Sequence, residues 1–392
     1  MLKPLFTCFV ALALCVGCHK STLPTTASAG GFKQNPVLVA EQPVPTLAIG
    51  AAAPDFKLPA TDGKFYQLSD FKSAKILVVV FTCNHCPTAQ AYEERLVKVC
   101  ADYKSKNVAF VAISPNSPPA LLYEEEGYTD LNDDYEAMKI RAANQKFNFP
   151  YLYDGDNEAV SIKYGPVATP HVFVFDQQRK LRYNGRFDAI EKPGKANAED
   201  LRAALDALLA DKEVAQPVTK TFGCSTKWAW KNAYQEKTEK EWQSRPVTLV
   251  KLDKQGIKNV VSNRDSNKLR LINVWATWCG PCVLEYPDFL KLQRMYGARD
   301  FEFVSISADK PAKEANVLRF LQEKHSGVSN YIFGEEDNYA LIEAIDPKWN
   351  GALPYTVLVE PGGKVVWSQQ GEVNMTALRT IIVEHPKMGR YF

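Results

Sequence analysis

The chain has no excess of charge of either sign. Its 47 Lys and Arg are met by 45 Asp and Glu, a net of +2 over 392 residues. Such a balance supplies no strong field for nucleic acid or for an anionic membrane surface. Nucleotide and haem motifs are lacking, so the cysteines are the only redox groups in sight, and neither a cofactor nor a metal is expected. Cysteine itself is sparse. Nine in 392 residues are too few to staple a disulfide mini-scaffold, so the cores must come from packing. A hydrophobic content of 46% suffices for that and is too high for a disordered chain. At about 100–200 residues per domain, the length predicts two or three domains.

The apolar run at 5–16 (LFTCFVALALCV) is shorter than the roughly 20 residues a spanning helix needs. Preceded by Lys3, it reads as an export signal. Its end, Cys15-Val16-Gly17-Cys18, resembles a bacterial lipoprotein cleavage box, with Cys15 where an aliphatic residue is usual. The resemblance implies a signal peptide over 1–17, a lipid anchor on Cys18 and a location on the periplasmic side of a bacterial membrane. An ordinary secretory signal and a soluble protein are the alternative. Residues 18–45, rich in Ser, Thr, Ala and Pro, suit a flexible tether. Cys8 and Cys15 would then be discarded, leaving Cys83, Cys86, Cys100, Cys224, Cys279 and Cys282 where disulfides persist.

The rest of the chain repeats one plan. In the first half a continuous apolar run at 76–81 predicts a strand buried on both faces. Cys83-Asn84-His85-Cys86 follows, then a helix over 89–103, a strand over 108–113 and a helix-prone acidic stretch over 121–146. Thr169-Pro170 precedes strands at 171–175 and 181–187, and a helix at 200–209 closes the unit. In the second half a strand at 271–275 leads into Cys279-Gly280-Pro281-Cys282 and a helix over 283–296. A strand at 301–306 and a helix at 315–324 come next. Leu353-Pro354 then precedes strands at 355–359 and 365–367 and a helix at 375–383. Strands alternating with helices predict an α/β class, with one domain over 46–213 and another over 246–392. The connector, 214–245, is polar but carries Trp228, Trp230 and Trp242, which are costly to leave in water.

A Cys-x-x-Cys between a buried strand and a helix has a chemical use. The first cysteine is expected at the helix N-terminus, where free N–H groups favour a thiolate nucleophile. The second, one turn on, resolves the mixed disulfide. Pro170 and Pro354 are expected as cis residues facing the pairs. A zinc ribbon would pair two such motifs about 15–20 residues apart, and Cys86 and Cys279 are far more distant.

Trp275-Ala276-Thr277-Trp278-Cys279-Gly280-Pro281-Cys282 resembles the thioredoxin superfamily, in particular its TlpA-like members, from about Val247 onward. That resemblance implies that Glu285, three residues after Cys282, assists proton transfer; the plain alternative is a solvated carboxylate. Pro287 matches the familiar helix kink. The first half resembles the AhpC/TSA-like redoxin branch, through Ala53-Pro54-Asp55-Phe56, Cys83-Asn84-His85-Cys86-Pro87 and Thr169-Pro170-His171. Gly223-Cys224-Ser225-Thr226-Lys227-Trp228 matches a tail motif of these CNHCP proteins, so the connector is expected to belong to the first domain. Ala89 stands where the glutamate would be, so proton handling must differ there. The fold implied is two tandem thioredoxin-like folds, each a mixed sheet flanked by helices.

His85 beside the second cysteine predicts an oxidising pair, because an imidazolium stabilises the reduced form. Gly280-Pro281 is the pairing of reducing thioredoxins, about −270 mV against about −120 mV for the oxidising type. Electrons would then pass from Cys279/Cys282 to Cys83/Cys86. Cys100 is expected as a buried structural thiol, Cys224 as an accessory thiol or a shielded one, and His171 as a core histidine or a contact tuning Cys83. The function expected is extracytoplasmic thiol–disulfide exchange with protein thiol clients and a thiol electron donor. A thiol peroxidase is the first alternative, although Val80 stands where peroxiredoxins carry threonine. A copper site of Cys83, His85, Cys86 and His171 is the second.

Overall fold

The computed structural model describes residues 43–391. The expected signal peptide, the expected lipid-anchor residue Cys18 and the tether before Pro43 therefore lie outside the described residues. None of the described helices is long and apolar enough to cross a membrane.

Among the described residues the first half builds a five-stranded sheet in the order Tyr151–Tyr153, Val108–Ser114, Ile76–Phe81, His171–Phe175, Leu181–Gly185. The first three run parallel, and the last two join antiparallel. Every residue of Ile76–Phe81 is buried, which explains its unbroken apolar run. Val78 and Val80 face one core with Tyr92 and Leu96, while Leu77, Val79 and Phe81 face another with Tyr164 and Phe173.

The second half repeats this order and adds an edge strand: Val250–Leu252, Ser329–Phe333, Phe301–Ser307, Leu269–Trp275, Tyr355–Val359, Val365–Gln370. The last two strands are again antiparallel. Both halves are thioredoxin-like folds, as the family resemblances implied. The helix Gly280–Tyr296 carries Pro287 inside it.

The helix-prone stretch 121–146 is helical only in part. Only Tyr135–Asn144 is α-helical, capped by the Asp134 side chain on the Ala137 N–H; Pro118–Ala120 and Tyr123–Glu126 are single 3₁₀ turns. The reason is tertiary. Residues of the second fold take the polar groups of this segment. Tyr296 donates to Thr129 O at 2.7 Å and Arg299 to Gly127 O at 2.6 Å. Arg390 pairs with Asp130 at 3.0 Å.

The connector serves both folds. Cys224–Ser225 pairs with Ala168–Thr169 of the first, whereas Trp242, at the end of helix Asn232–Gln243, packs into the core of the second.

Candidate functional site

Each cysteine pair sits between a buried strand and a helix, but the two helices start at different places. Cys279 is the N-cap of Gly280–Tyr296, as expected. In the first half Pro87 is the first helical residue, so Cys86, not Cys83, holds the N-cap. The cause is Asp133. Its Oδ1 accepts from the Asn84 N–H at 2.8 Å and the His85 N–H at 3.0 Å, which draws those residues out of the helix. Proline at the first helical position fixes the start.

Asp133 also organises His85. Its Oδ2 lies 2.6 Å from His85 Nδ1 and accepts from Asn116 Nδ2 at 2.7 Å, so the buried carboxylate has four partners. Burial works against charge on His85, but Asp133 outweighs it and the imidazole pKa is raised. Burial likewise opposes ionisation of Asp133, yet His85 and the other donors hold its carboxyl below 3.8. Nε2 of His85 has no hydrogen-bond partner among the described residues.

The two thiols of this pair differ. Burial disfavours both thiolates. At Cys86 it is outweighed by hydrogen bonds from the Cys224 side and from Cys83, by the positive His85 and by the Ala89 N–H, so its pKa is lowered. Burial pushes Cys83 up, and Asp133 adds to the rise. The residue before the cis peptide Thr169-Pro170 meets both sulfurs. Thr169 Oγ1 lies 3.1 Å from Cys83 Sγ, and the Cys86 thiol donates to Thr169 O at 3.2 Å. Cys83, Cys86 and Cys224 are free thiols.

In the second site Cys279 and Cys282 form a disulfide. Leu353-Pro354 is cis, and Leu353 packs against the cluster that contains both cysteines. Glu285 is not a solvated carboxylate: it is 8% exposed. Burial pushes its pKa up to about 7, opposed by the Val373 N–H that reaches Oε2 at 3.1 Å. That places a proton acceptor of near-neutral pKa one turn beyond Cys282. Exposed Trp278 and Leu284 flank this pair.

The copper set loses a donor. His171 Nδ1 accepts from the Val167 N–H at 3.3 Å and Nε2 meets Asn184 at 3.0 Å, so both ring nitrogens are engaged. Burial lowers this histidine to about 4. It is a hydrogen-bonded core residue. Cys100 is buried, with its pKa raised to about 11 by desolvation.

Sequence reasoning missed Asp133, Asn116 and Thr169. Asp133 lies nearly fifty residues from His85, inside a run of carboxylates that gives no local sign of which one turns inward. Pro87 did carry a signal for the helix start.

Residues 49–184 match the AhpC/TSA family and residues 243–382 match Redoxin. A thioredoxin of Coprinus comatus is 40% identical over 57 residues, 13% of this chain and 54% of that protein. The chain thus spans about half the length of that relative. The thiol-disulfide oxidoreductase ResA of Halalkalibacterium halodurans is 26% identical over 128 residues, 30% of this chain and 68% of ResA. Alkyl hydroperoxide reductase E of Mycobacterium tuberculosis is 28% identical over 172 residues, 42% of this chain and 97% of the reductase. With one match on each repeat of the plan, the chain belongs to the thioredoxin superfamily, as an AhpC/TSA-type domain followed by a Redoxin-type domain.

Proposed function

We propose that the protein is a thiol–disulfide oxidoreductase that exchanges disulfides with protein thiols through two sites, Cys83/Cys86 and Cys279/Cys282. One observation carries the reading. Each pair lies at the end of a buried strand, with one cysteine on a helix N-terminus and a cis proline beside it. That arrangement stabilises a thiolate and keeps a second thiol within reach to release the mixed disulfide.

In the second site Cys279 is the attacking thiolate, Cys282 resolves, and Glu285 accepts and returns the proton. In the first site the roles fall the other way from the sequence expectation. Cys86 holds the helix N-terminus and is the better thiolate, and Cys83 resolves. Thiolate stabilisation at Cys86 favours the reduced form, which makes the first pair the stronger oxidant and directs electrons from Cys279/Cys282 to Cys83/Cys86. Pro170 and Pro354 shape the client grooves. Full-length Cys83→Ser/Cys224→Ser and Cys282→Ser chains test the exchange, because each should hold a partner as a mixed disulfide; Cys224 is replaced as well because its N–H lies on Cys86 Sγ and its thiol packs beside it. The absence of any trapped species sinks it.

A second reading, a thiol peroxidase, draws support from the AhpC/TSA match and the similarity to alkyl hydroperoxide reductase E. Against it stands Val80, where peroxiredoxins carry a threonine that orients peroxide. Peroxide consumption in step with an added dithiol would favour it. We also read the protein as exported and anchored through Cys18, on the signal-like N-terminal sequence alone; loss of membrane association in Cys18→Ser checks that.

A further inference from the structure

The segment Gly223-Cys224-Ser225 occupies the edge at which an extended client would add a strand. Cys224 and Ser225 pair antiparallel with Thr169 and Ala168, directly before the cis Pro170. Main-chain pairing at such an edge is how an extended peptide is captured. The chain therefore fills its own groove with a strand that presents a cysteine.

The fit is close. Gly223 has φ 133°, and a Cβ there would fall 2.1 Å from the Thr169 carbonyl oxygen, so no other residue enters without displacing backbone. The strand is tied down beyond the cysteine as well. Thr226 Oγ1 donates to Pro166 O at 2.7 Å. The Lys227 N–H donates to Asn116 Oδ1 at 2.9 Å, and Asn116 in turn donates to Asp133.

The outcome is a cluster of three thiols centred on Cys86. Cys86 Sγ receives the Cys224 N–H at 3.2 Å, and Cys224 packs against the buried cluster of Cys83, Cys86 and Ala89. Cys83 and Cys86 are 1% and 0% exposed, whereas Cys224 is part-exposed. The buried pair has no direct face toward a client.

We propose that Cys224 is a third exchange thiol of the first site, taking Cys86 into a Cys86–Cys224 disulfide and so carrying the oxidising equivalent toward the surface. This rests on the reading of the first site as a disulfide-exchange centre. The step starts from the Cys83–Cys86 disulfide. The Cys224 thiolate attacks Cys86 Sγ, the Cys86–Cys224 bond forms, and the Cys83–Cys86 bond breaks. Cys83 leaves with the bonding pair and takes up the proton that Cys224 released. No oxidant or reductant is consumed, because one disulfide replaces another. The hydrogen bond to Cys86 and burial both raise the Cys224 pKa, and burial raises that of Cys83. Attacking and leaving thiols are thus both weak acids, and acidity does not strongly favour either disulfide.

The test uses the full-length chain, reduced and then equilibrated with oxidised glutathione, with unreduced peptides mapped by mass spectrometry. Wild type and Cys224→Ser should form Cys83–Cys86. Cys83→Ser should form a Cys86–Cys224 peptide pair lacking two hydrogens, whereas the double variant should carry glutathione on Cys86. If Cys83→Ser carries only the glutathione adduct while wild type forms Cys83–Cys86, the proposal for Cys224 is overturned and the exchange reading stands. If wild type forms no disulfide at this site, both fall. Acid-quenched wild type provides a readout without substitution: it should contain both the Cys83–Cys86 and the Cys86–Cys224 species, and lack of the second at every time point overturns the proposal.

Discussion

Replacing Glu285 by glutamine removes a charge while keeping an oxygen for the Val373 N–H. The wild-type carboxyl moves from 4.5 in the unfolded chain to about 7 in the folded one. At 1.36 kcal/mol for each tenfold change, that shift puts a penalty of about 3 kcal/mol on the native carboxylate. The sign follows from proton counting. Between 4.5 and about 7 the native state binds the extra proton, so stability falls as pH rises through this window and stays low above it. E285Q lacks the effect. Its urea midpoint should match wild type near pH 4 and exceed it at pH 8, by an amount equivalent to up to about 3 kcal/mol. Catalysis should move the other way. A general base contributes about 100-fold or more, so E285Q should reduce insulin about 100-fold more slowly at pH 7 and lose the rate rise centred near that pH. Parallel stability curves for the two proteins from pH 4 to 8, or an unchanged rate profile, would refute the reasoning for Glu285.

Three further outcomes are expected. Asp133→Asn breaks a buried ion pair and should cost about 3 kcal/mol in urea unfolding at pH 7. Asp133's folded pKa lies below 3.8, so its stabilisation is present above that value and lost as pH falls through the folded pKa; D133N should therefore lose less stability in acid than wild type. In the reduced chain, Cys86 should react with iodoacetamide at a lower pH than Cys83, as read by peptide mapping; the reverse order would return the thiolate to Cys83. Gly223→Ala forces a Cβ against Thr169 O from a left-handed backbone position, and should destabilise the protein by more than about 1 kcal/mol or free the Cys224 strand to protease.

Much of the fold was legible because buried parallel strands leave continuous apolar runs, as at 76–81 and 301–306. Both cysteine pairs, both prolines and the repeated order followed from local pattern. What escaped was non-local or short. Tyr151–Tyr153 has three residues, and Ser329–Phe333 mixes polar with apolar ones, so neither stands out as a core strand. The acidic stretch read as helix because its composition favours one, but Arg299, Tyr296 and Arg390 of the second fold claim its polar groups instead. The connector's tail motif pointed to the first domain; Cys224–Ser225 pairs there, while Trp242 packs into the core of the second fold. That its cysteine lies against Cys86 depends on antiparallel pairing with a strand more than fifty residues earlier, which no local signal encodes.

The central claim is that two unlike disulfide centres work in one chain, the second reducing the first. Its most direct test equilibrates the full-length protein across a series of glutathione redox buffers and quantifies Cys83–Cys86 and Cys279–Cys282 separately by mass spectrometry. The account predicts that Cys279–Cys282 stays oxidised in buffers reducing enough to open Cys83–Cys86, and so has the lower potential. Equal potentials, or a lower potential for Cys83–Cys86, would contradict it.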